Sequence, residues 1–270
     1  MKALSTEELK QIQIEILDYV VQVCTEYNLK YCLNYGTLIG AIRHKGFIPW
    51  DDDIDISMLR KDYDKLIEVT QQSVNPRFKM ECVELNKNCP YSIGKMIDTT
   101  TVLYEMGENG IKTGVYIDIF VYDDAPVDEK ERNKAFDKLD FYGRLRRYQL
   151  PLGDARLSLK RIGVLLIRNI IKLTPNCNFA RRIVDAAKKY KNLNTGLVFD
   201  ITDPYYLKRW CVEKSVFEEL TDVEFEGKKF KAPKQYDKWL RMQYGDYMQI
   251  PSKEQQEAAK HKIKAYKIIG

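Results

Sequence analysis

Leu9, Ile12, Ile16, Val20, Val23 and Tyr27 recur at three- and four-residue intervals, the spacing that gathers side chains onto one face of an α-helix. Ser5 followed by Glu8 forms a capping box ahead of that stripe, so a first helix of about five turns is expected, with Asn28 as its stop signal. Tyr31-Cys32-Leu33-Asn34-Tyr35 then reads as a short strand of β-favouring side chains. Gly36-Thr37 ends that strand, and Leu38 to Arg43 turns back into helix. Pro49 and three consecutive aspartates break the helical pattern, after which Asp53-Ile54-Asp55-Ile56-Ser57-Met58 alternates polar and apolar positions in strand register. Arg60 to Gln72 predicts a helix, and further strands are expected at Phe78 to Val83, Ser92 to Ile97, Thr101 to Tyr104 and Val115 to Tyr122.

From Asp128 onward the pattern changes to long helical segments rich in Lys, Arg and Leu, returning to irregular structure near Phe225 to Phe230 and Pro233. The expected fold class is α/β (α+β), with a mixed sheet and flanking helices in residues 1–125 as the catalytic core. A mainly helical region, 126–270, is expected to pack on it. The soft boundary lies near Pro126, and no internal repeat or low-complexity tract is evident.

Composition narrows the class. The 270 residues are 44% hydrophobic and 31% charged, enough for a substantial core beneath a well-solvated surface. Met1 to Glu8 lack the apolar run and small-residue cleavage site of a secretory signal, so a cytoplasmic location is expected. The most apolar stretch, Ile162 to Leu173, is interrupted by Arg168, Asn169 and Lys172 and does not read as a bilayer span. Six cysteines (Cys24, Cys32, Cys82, Cys89, Cys177, Cys211) form no Cys-x-x-Cys pair and have only His44 and His261 for company, so buried thiols are expected rather than zinc or disulfides.

The net charge of +5 does not by itself call for nucleic acid, and none is expected as a partner. Its distribution matters more. Between Arg156 and Lys191 stand ten basic residues against one acid, Asp185. Within 156–173, Leu157, Leu159, Ile162, Leu165, Leu166, Ile170 and Leu173 cover one side of a helix flanked by basic residues. Such a helix either lies on an anionic membrane surface or packs against the catalytic half.

The chemistry concentrates in the acidic strand. Side chains at i and i+2 of a strand share a face, so Asp53 and Asp55 place two carboxylates where a divalent cation can be held between them. Alternation with isoleucine implies a half-buried strand, in which an uncompensated charge would be costly. A cation relieves the repulsion and supplies an electrophile for phosphoryl chemistry. Asp51 and Asp52 alone would read as turn residues. Asp118, in Tyr116-Ile117-Asp118-Ile119-Phe120, is a third carboxylate set in an apolar strand, although spacing does not reveal its neighbours. No Gly-x-x-x-x-Gly-Lys-Ser/Thr loop is present, which argues against a P-loop kinase.

The stretch from Tyr35-Gly36-Thr37-Leu38-Ile39-Gly40 through Arg43-His44-Lys45-Gly46 to Pro49-Trp50-Asp51-Asp52-Asp53-Ile54-Asp55-Ile56 closely resembles the signature of the LicD family of phosphorylcholine transferases, which includes the fukutin-like ribitol-phosphate transferases. Val115 to Phe120, Phe225-Glu226-Gly227-Lys228-Lys229-Phe230 and Tyr244-Gly245-Asp246-Tyr247-Met248 resemble further landmarks of that family.

The resemblance implies a nucleotidyltransferase-like fold in which Gly36-Thr37 meets nucleotide phosphate at a helix start. Asp53, Asp55 and Asp118 would be the catalytic, metal-holding carboxylates, with Mg2+ or Mn2+ as cofactor. It implies phosphorylcholine transfer from CDP-choline, or from a related CDP-alcohol, to a lipid-linked oligosaccharide at the inner face of the cell membrane, releasing CMP. Arg43, His44 and Lys45 are expected to hold the diphosphate or to form a basic turn. Tyr35 and Trp50 are expected to wall the pocket, Asp51 to lie on the substrate side, and Lys95 to contact phosphate. A catalytically silent nucleotide- or glycan-binding regulator is the alternative from another class.

Overall fold

Ser5 Oγ accepts the N–H of Glu8 at 3.1 Å while the Glu8 carboxylate accepts the N–H of Ser5 at 2.9 Å, completing the capping box that starts helix α1 (Thr6–Glu26). Leu9, Ile12, Ile16, Leu17, Val20 and Val23 are buried along it, and Asn28, at φ 52°, takes the left-handed conformation just past its end. The computed structural model describes residues 1–73, 75–105, 110–150, 159–172, 178–200, 211–259 and 263–269. Before and after α1 come β1 (Lys2–Ala3), β2 (Cys32–Leu33), α2 (Tyr35–His44), β3 (Asp55–Leu59), α3 (Arg60–Gln72) and β4 (Phe78–Glu81). Two long strands follow, β5 (Gly94–Glu105) and β6 (Ile111–Asp124), then helices α4 (Glu129–Gln149), α5 (Leu159–Lys172) and α6 (Phe179–Lys188). The remaining described elements are β7 (Leu197–Asp200), β8 (Val212–Glu213), α7 (Ser215–Glu218), β9 (Leu220–Phe225), β10 (Lys228–Pro233), α8 (Tyr236–Tyr244), α9 (Lys253–Ala259) and β11 (Lys264–Lys267).

The main sheet runs β1-β11-β5-β6-β3-β2, with β4 added to β5 and the β7/β8 pair added to β6. It is a mixed sheet, because β3 and β6 are parallel while β2, β5 and β7 pair antiparallel with their neighbours. All five residues of β3 are buried. Ile54, Ile56 and Met58 enter the core on one face, each worth about 1.5–3 kcal/mol of burial, and Asp55 and Ser57 turn to the other. A second apolar cluster joins Phe136 and Leu139 of α4 to Ile183 and Ala187 of α6 and Phe199 of β7, closing the helical layer onto the end of β6.

Several expectations change. The strand expected over Tyr31 to Tyr35 is confined to Cys32–Leu33, and α2 begins at Tyr35, so Gly36 and Thr37 lie in its first turn rather than closing a strand. The two strands expected over Ser92 to Ile97 and Thr101 to Tyr104 are one continuous strand, β5, which starts at Gly94 and whose pairing with β6 shifts between Asp98 and Leu103. Phe225 to Phe230 is an antiparallel hairpin, not irregular structure; Glu226 and Gly227 both carry positive φ, the geometry of a tight type I′ turn. The part after Pro126 is mainly helical in its described residues, as expected, but it also contributes β7, β8 and β11, which complete the main sheet across that position. The basic helix expected over 156–173 is described as Leu159–Lys172; Arg156, Leu157 and Leu173 lie outside the described residues, as do Cys177 and His261.

Candidate active site

The register of the parallel pair sets Asp55 of β3 directly opposite Asp118 of β6. On the other side of Asp118, β5 presents Lys95, and beyond Lys95 comes Glu81 of β4. Four charged residues thus form one row across four strands. Spacing along the chain could not reveal this; strand order does. β3 begins at Asp55, so Asp53 lies just before the strand in the segment from Asp51, where it still loads the Asp55 carboxyl with negative charge. Burial, then Asp53, Asp118 and Asp51, in that order, push the Asp55 carboxyl well above the usual carboxylate range, with Lys95 opposing.

Short contacts hold this row in place. Thr37 Oγ1 accepts the Asp55 N–H at 2.8 Å, so the Gly-Thr corner positions the acidic strand through a side chain. A Cβ on Gly36 would meet Asp51 Oδ2 at 2.5 Å, so a side chain at that place in the first turn of α2 would push the Asp51 carboxylate aside. Gln13, buried on α1, donates through Nε2 to Asp52 O at 2.9 Å and to Tyr116 O at 3.3 Å, tying the aspartate segment to β6. Asn34, fully buried, donates to Ser57 Oγ at 2.7 Å and accepts the Trp239 indole N–H at 3.0 Å. Neither Gln13 nor Asn34 was expected at the site. Gln13 had a signal, a polar residue four positions after Leu9 on an otherwise apolar stripe.

Lys95 is not the outward-facing lysine that a strand position suggests. It is 3% exposed, and its Nζ lies 2.7 Å from Asp118 Oδ1 and 3.3 Å from Glu105 Oε1. Burial works against the ammonium, but Asp118 and Glu105 outweigh it and hold the Lys95 pKa above its ordinary value.

The basic turn is also engaged. Arg43 Nη1 donates to the carbonyls of Tyr247 at 2.7 Å and Gln249 at 3.3 Å, its Nε donates to His44 Nε2 at 2.8 Å, and its guanidinium lies 5.8 Å from the Trp50 ring. Arg43 therefore anchors the segment after α8 to the end of α2. Lys45 is exposed, with φ 60°. Tyr35, at φ 46°, packs edge-on against Phe120, one same-face position along β6 from Asp118, and donates its hydroxyl to Asp200 of β7.

A cavity of about 420 Å³ opens elsewhere, at the far ends of β3 and β6, lined by Leu59, Tyr122, Asp124, Lys191 and Lys214 among others. It lies roughly 13 Å along the strand from Asp55, and Lys214 and Lys191 there are already paired with Asp124 and Asp64.

A family model described as LicD/FKTN/FKRP, nucleotidyltransferase domain, matches residues 28–151, which span α2, β3, β5 and β6. The lipopolysaccharide cholinephosphotransferase LicD of Haemophilus influenzae is 31% identical over 263 residues, covering 95% of this chain and 96% of that protein. The chain belongs to the LicD family. The human ribitol 5-phosphate transferase FKRP is 42% identical over 48 residues, 18% of this chain and 10% of that protein. An uncharacterised protein of Rickettsia typhi is 38% identical over 92 residues, 34% of this chain and 26% of its own length. The LicD signature thus coincides with the segment that places Gly36, Thr37, Asp53 and Asp55 around the start of β3.

The donor set suits a hard divalent cation, because carboxylate oxygens crowd a buried position whose charge requires compensation. Among the described residues no three carboxylate, imidazole or thiolate groups already converge as a closed ligand set. Asp118 is drawn into its ion pair with Lys95, so the close carboxylate pair is Asp53 and Asp55.

Proposed function

We propose that this LicD-family chain is a phosphotransferase that moves phosphorylcholine from CDP-choline to a hydroxyl of a cell-envelope glycan carried on a lipid. The oxygen of the acceptor hydroxyl forms a bond to the phosphorus bearing choline, the bond from that phosphorus to the bridging oxygen breaks, and CMP leaves with the electron pair. The observation that carries this reading is the row in which β3 and β6 bring Asp55 beside Asp118, with Asp53 adjacent.

Asp53 and Asp55 would hold Mg2+ or Mn2+, which would supply positive charge against the negative charge developing on the phosphoryl oxygens. Asp118 faces the incoming hydroxyl and takes its proton. Thr37 and Gln13 fix the acidic segment so that the carboxylates need not reorganise on binding. The choice of choline rests on a relative matched over nearly the whole chain, against a short local match to a ribitol 5-phosphate transferase. For the acceptor, the basic helix α5 and its exposed Ile167 and Ile170 favour a substrate presented at the cytoplasmic membrane surface.

The test is CMP release, followed by mass spectrometry, from CDP-choline, CDP-ribitol and CDP-glycerol with a lipid-linked glycan acceptor. Release from CDP-choline that requires Mg2+ and transfers phosphorylcholine to the acceptor is the expected result. Turnover confined to CDP-ribitol would overturn the donor assignment, and silence with every donor would overturn the enzyme.

A further inference from the structure

Lys95 occupies a site built for a cation. Its Nζ lies 3.3 Å from the centroid of the Tyr116 ring and 4.5 Å from that of Tyr91, with Asp118 Oδ1 at 2.7 Å and Glu105 Oε1 at 3.3 Å. The Tyr91 hydroxyl donates to Glu105 Oε2 at 3.0 Å, so the cage is itself held together. Two aromatic faces and two carboxylates are a strong cation site, and the chain fills it with its own ammonium.

This arrangement bears on the number of metal ions. Carboxylate sites for phosphoryl transfer commonly hold two ions about 3.5–4 Å apart, bridged by a shared acid. Here Asp118, the acid between Asp55 and the next strand, is bonded to an ammonium on the side away from Asp55. Lys95 is too deeply buried to leave for solvent, and departure would strand two acids in the interior.

We infer that Lys95 is a fixed internal cation that replaces a second metal ion, so that the carboxylate row binds one divalent ion, at Asp53 and Asp55. The inference rests on the metal-dependent reading proposed above and deepens it. Lys95 is a positioning residue in this scheme, holding Asp118 in the orientation in which it meets the acceptor hydroxyl.

Counting bound Mn2+ by equilibrium dialysis with electron paramagnetic resonance tests this without reference to turnover. The native chain is expected to bind one Mn2+, Lys95→Arg one, and Lys95→Met two, because Asp118 and Glu105 then lack their counter-ion. Circular dichroism checks folding, and if Lys95→Met does not fold, Lys95→Gln, which can still donate to Asp118, is counted in its place. Two ions on the native chain, or one on the folded neutral variant, would overturn the inference while leaving the metal centre standing. No ion on the native chain would instead remove the metal reading beneath it, and Asp55→Asn identifies that case by binding no differently from native.

Discussion

Glu226 closes a clasp on Phe47: its carboxylate accepts the Phe47 N–H at 2.9 Å, and its own N–H donates to Lys45 O at 2.9 Å. The β9–β10 turn is thereby buckled to the loop leading from α2 into the aspartate segment. Gly46 lies inside the clasp, where a Cβ would collide with the Glu226 carboxylate. Gly46→Ala should therefore displace the loop and lower kcat by about 10- to 100-fold, the scale of an ångström-sized misplacement. Combining it with Glu226→Ala, which makes room for the methyl, should restore part of the loss. Steady-state kinetics on the single and double variants measure this, and equal deficits in both would remove the clasp from the mechanism.

Much of this organisation could be read from the chain, and the exceptions have physical causes. The α1 cap, the bounds of α3 and the apolar alternation of β3 are local signals, and they survive in the fold. The hairpin at Phe225 to Phe230 escaped because Glu-Gly replaces the usual Asn-Gly or Asp-Gly of such turns, and the docking of Glu226 on Lys45 and Phe47 offsets the left-handed glutamate. Asp53 and Asp55 were legible as a pair, but the place of Asp118 beside them depends on strand order. The burial of Lys95 could not be inferred, since its partner Glu105 is on the same strand beyond the shift in pairing.

Asp55 sets activity against stability. Its carboxyl is buried among Asp53, Asp118 and Asp51, so in metal-free solution the ionised form is strained. Asp55→Asn keeps the shape and removes that charge. Turnover should fall by about 10³-fold or more, while the metal-free chain should melt about 2–4 °C higher, near 1 kcal/mol for a chain of this size. Asp53→Asn should show the same kinetic loss. Near-native rates in both variants would refute the assigned centre.

Arg60 and Asp123 form the best-buried ion pair of the fold's described part, with Nε to Oδ1 at 2.9 Å and Nη2 to Oδ2 at 2.8 Å. The side chains are 5% and 0% exposed, at the start of α3 and the end of β6. Removing Arg60 takes the bidentate partner from a fully buried carboxylate, so Arg60→Ala should cost about 3–5 kcal/mol, whereas Asp123→Ala should cost less, because Arg60 keeps Glu84 at 3.3 Å and Asp64 at 3.6 Å. Urea denaturation of both singles and the double variant should show a double-variant loss well below the sum of the singles.

His44 titrates below its ordinary value of 6.5, because burial and the neighbouring Arg43 disfavour the imidazolium. Its Nε2 accepts a hydrogen bond from Arg43 Nε, which only the unprotonated nitrogen can do. The resulting stability is fully present above the unfolded value and is lost as pH falls through the lowered folded value. The Arg43 hold on Tyr247 and Gln249 should then loosen on the acid side of neutrality. Only His44 and His261 contribute imidazole signals, so NMR resolves them. A His44 midpoint above 6.5 would contradict the contact.

The charge distribution predicts a peripheral association with anionic membrane. Ten basic residues against one acid lie between Arg156 and Lys191, and in that interval Ile167 and Ile170 of α5 are 40% and 67% exposed, with Phe141 of α4 at 58%. No helix among the described residues is long and apolar enough to cross a bilayer, so any attachment through α5 lies in the interface. A basic residue near an anionic surface contributes about 1 kcal/mol, an attraction confined to roughly a Debye length. The chain should therefore sediment with phosphatidylglycerol vesicles and not with phosphatidylcholine vesicles, and salt should release it. Replacing Ile167 and Ile170 by aspartate should weaken binding at low salt without changing turnover on a water-soluble acceptor. Undiminished binding in that variant would move the contact away from α5, and equal binding to neutral vesicles would discard the electrostatic origin.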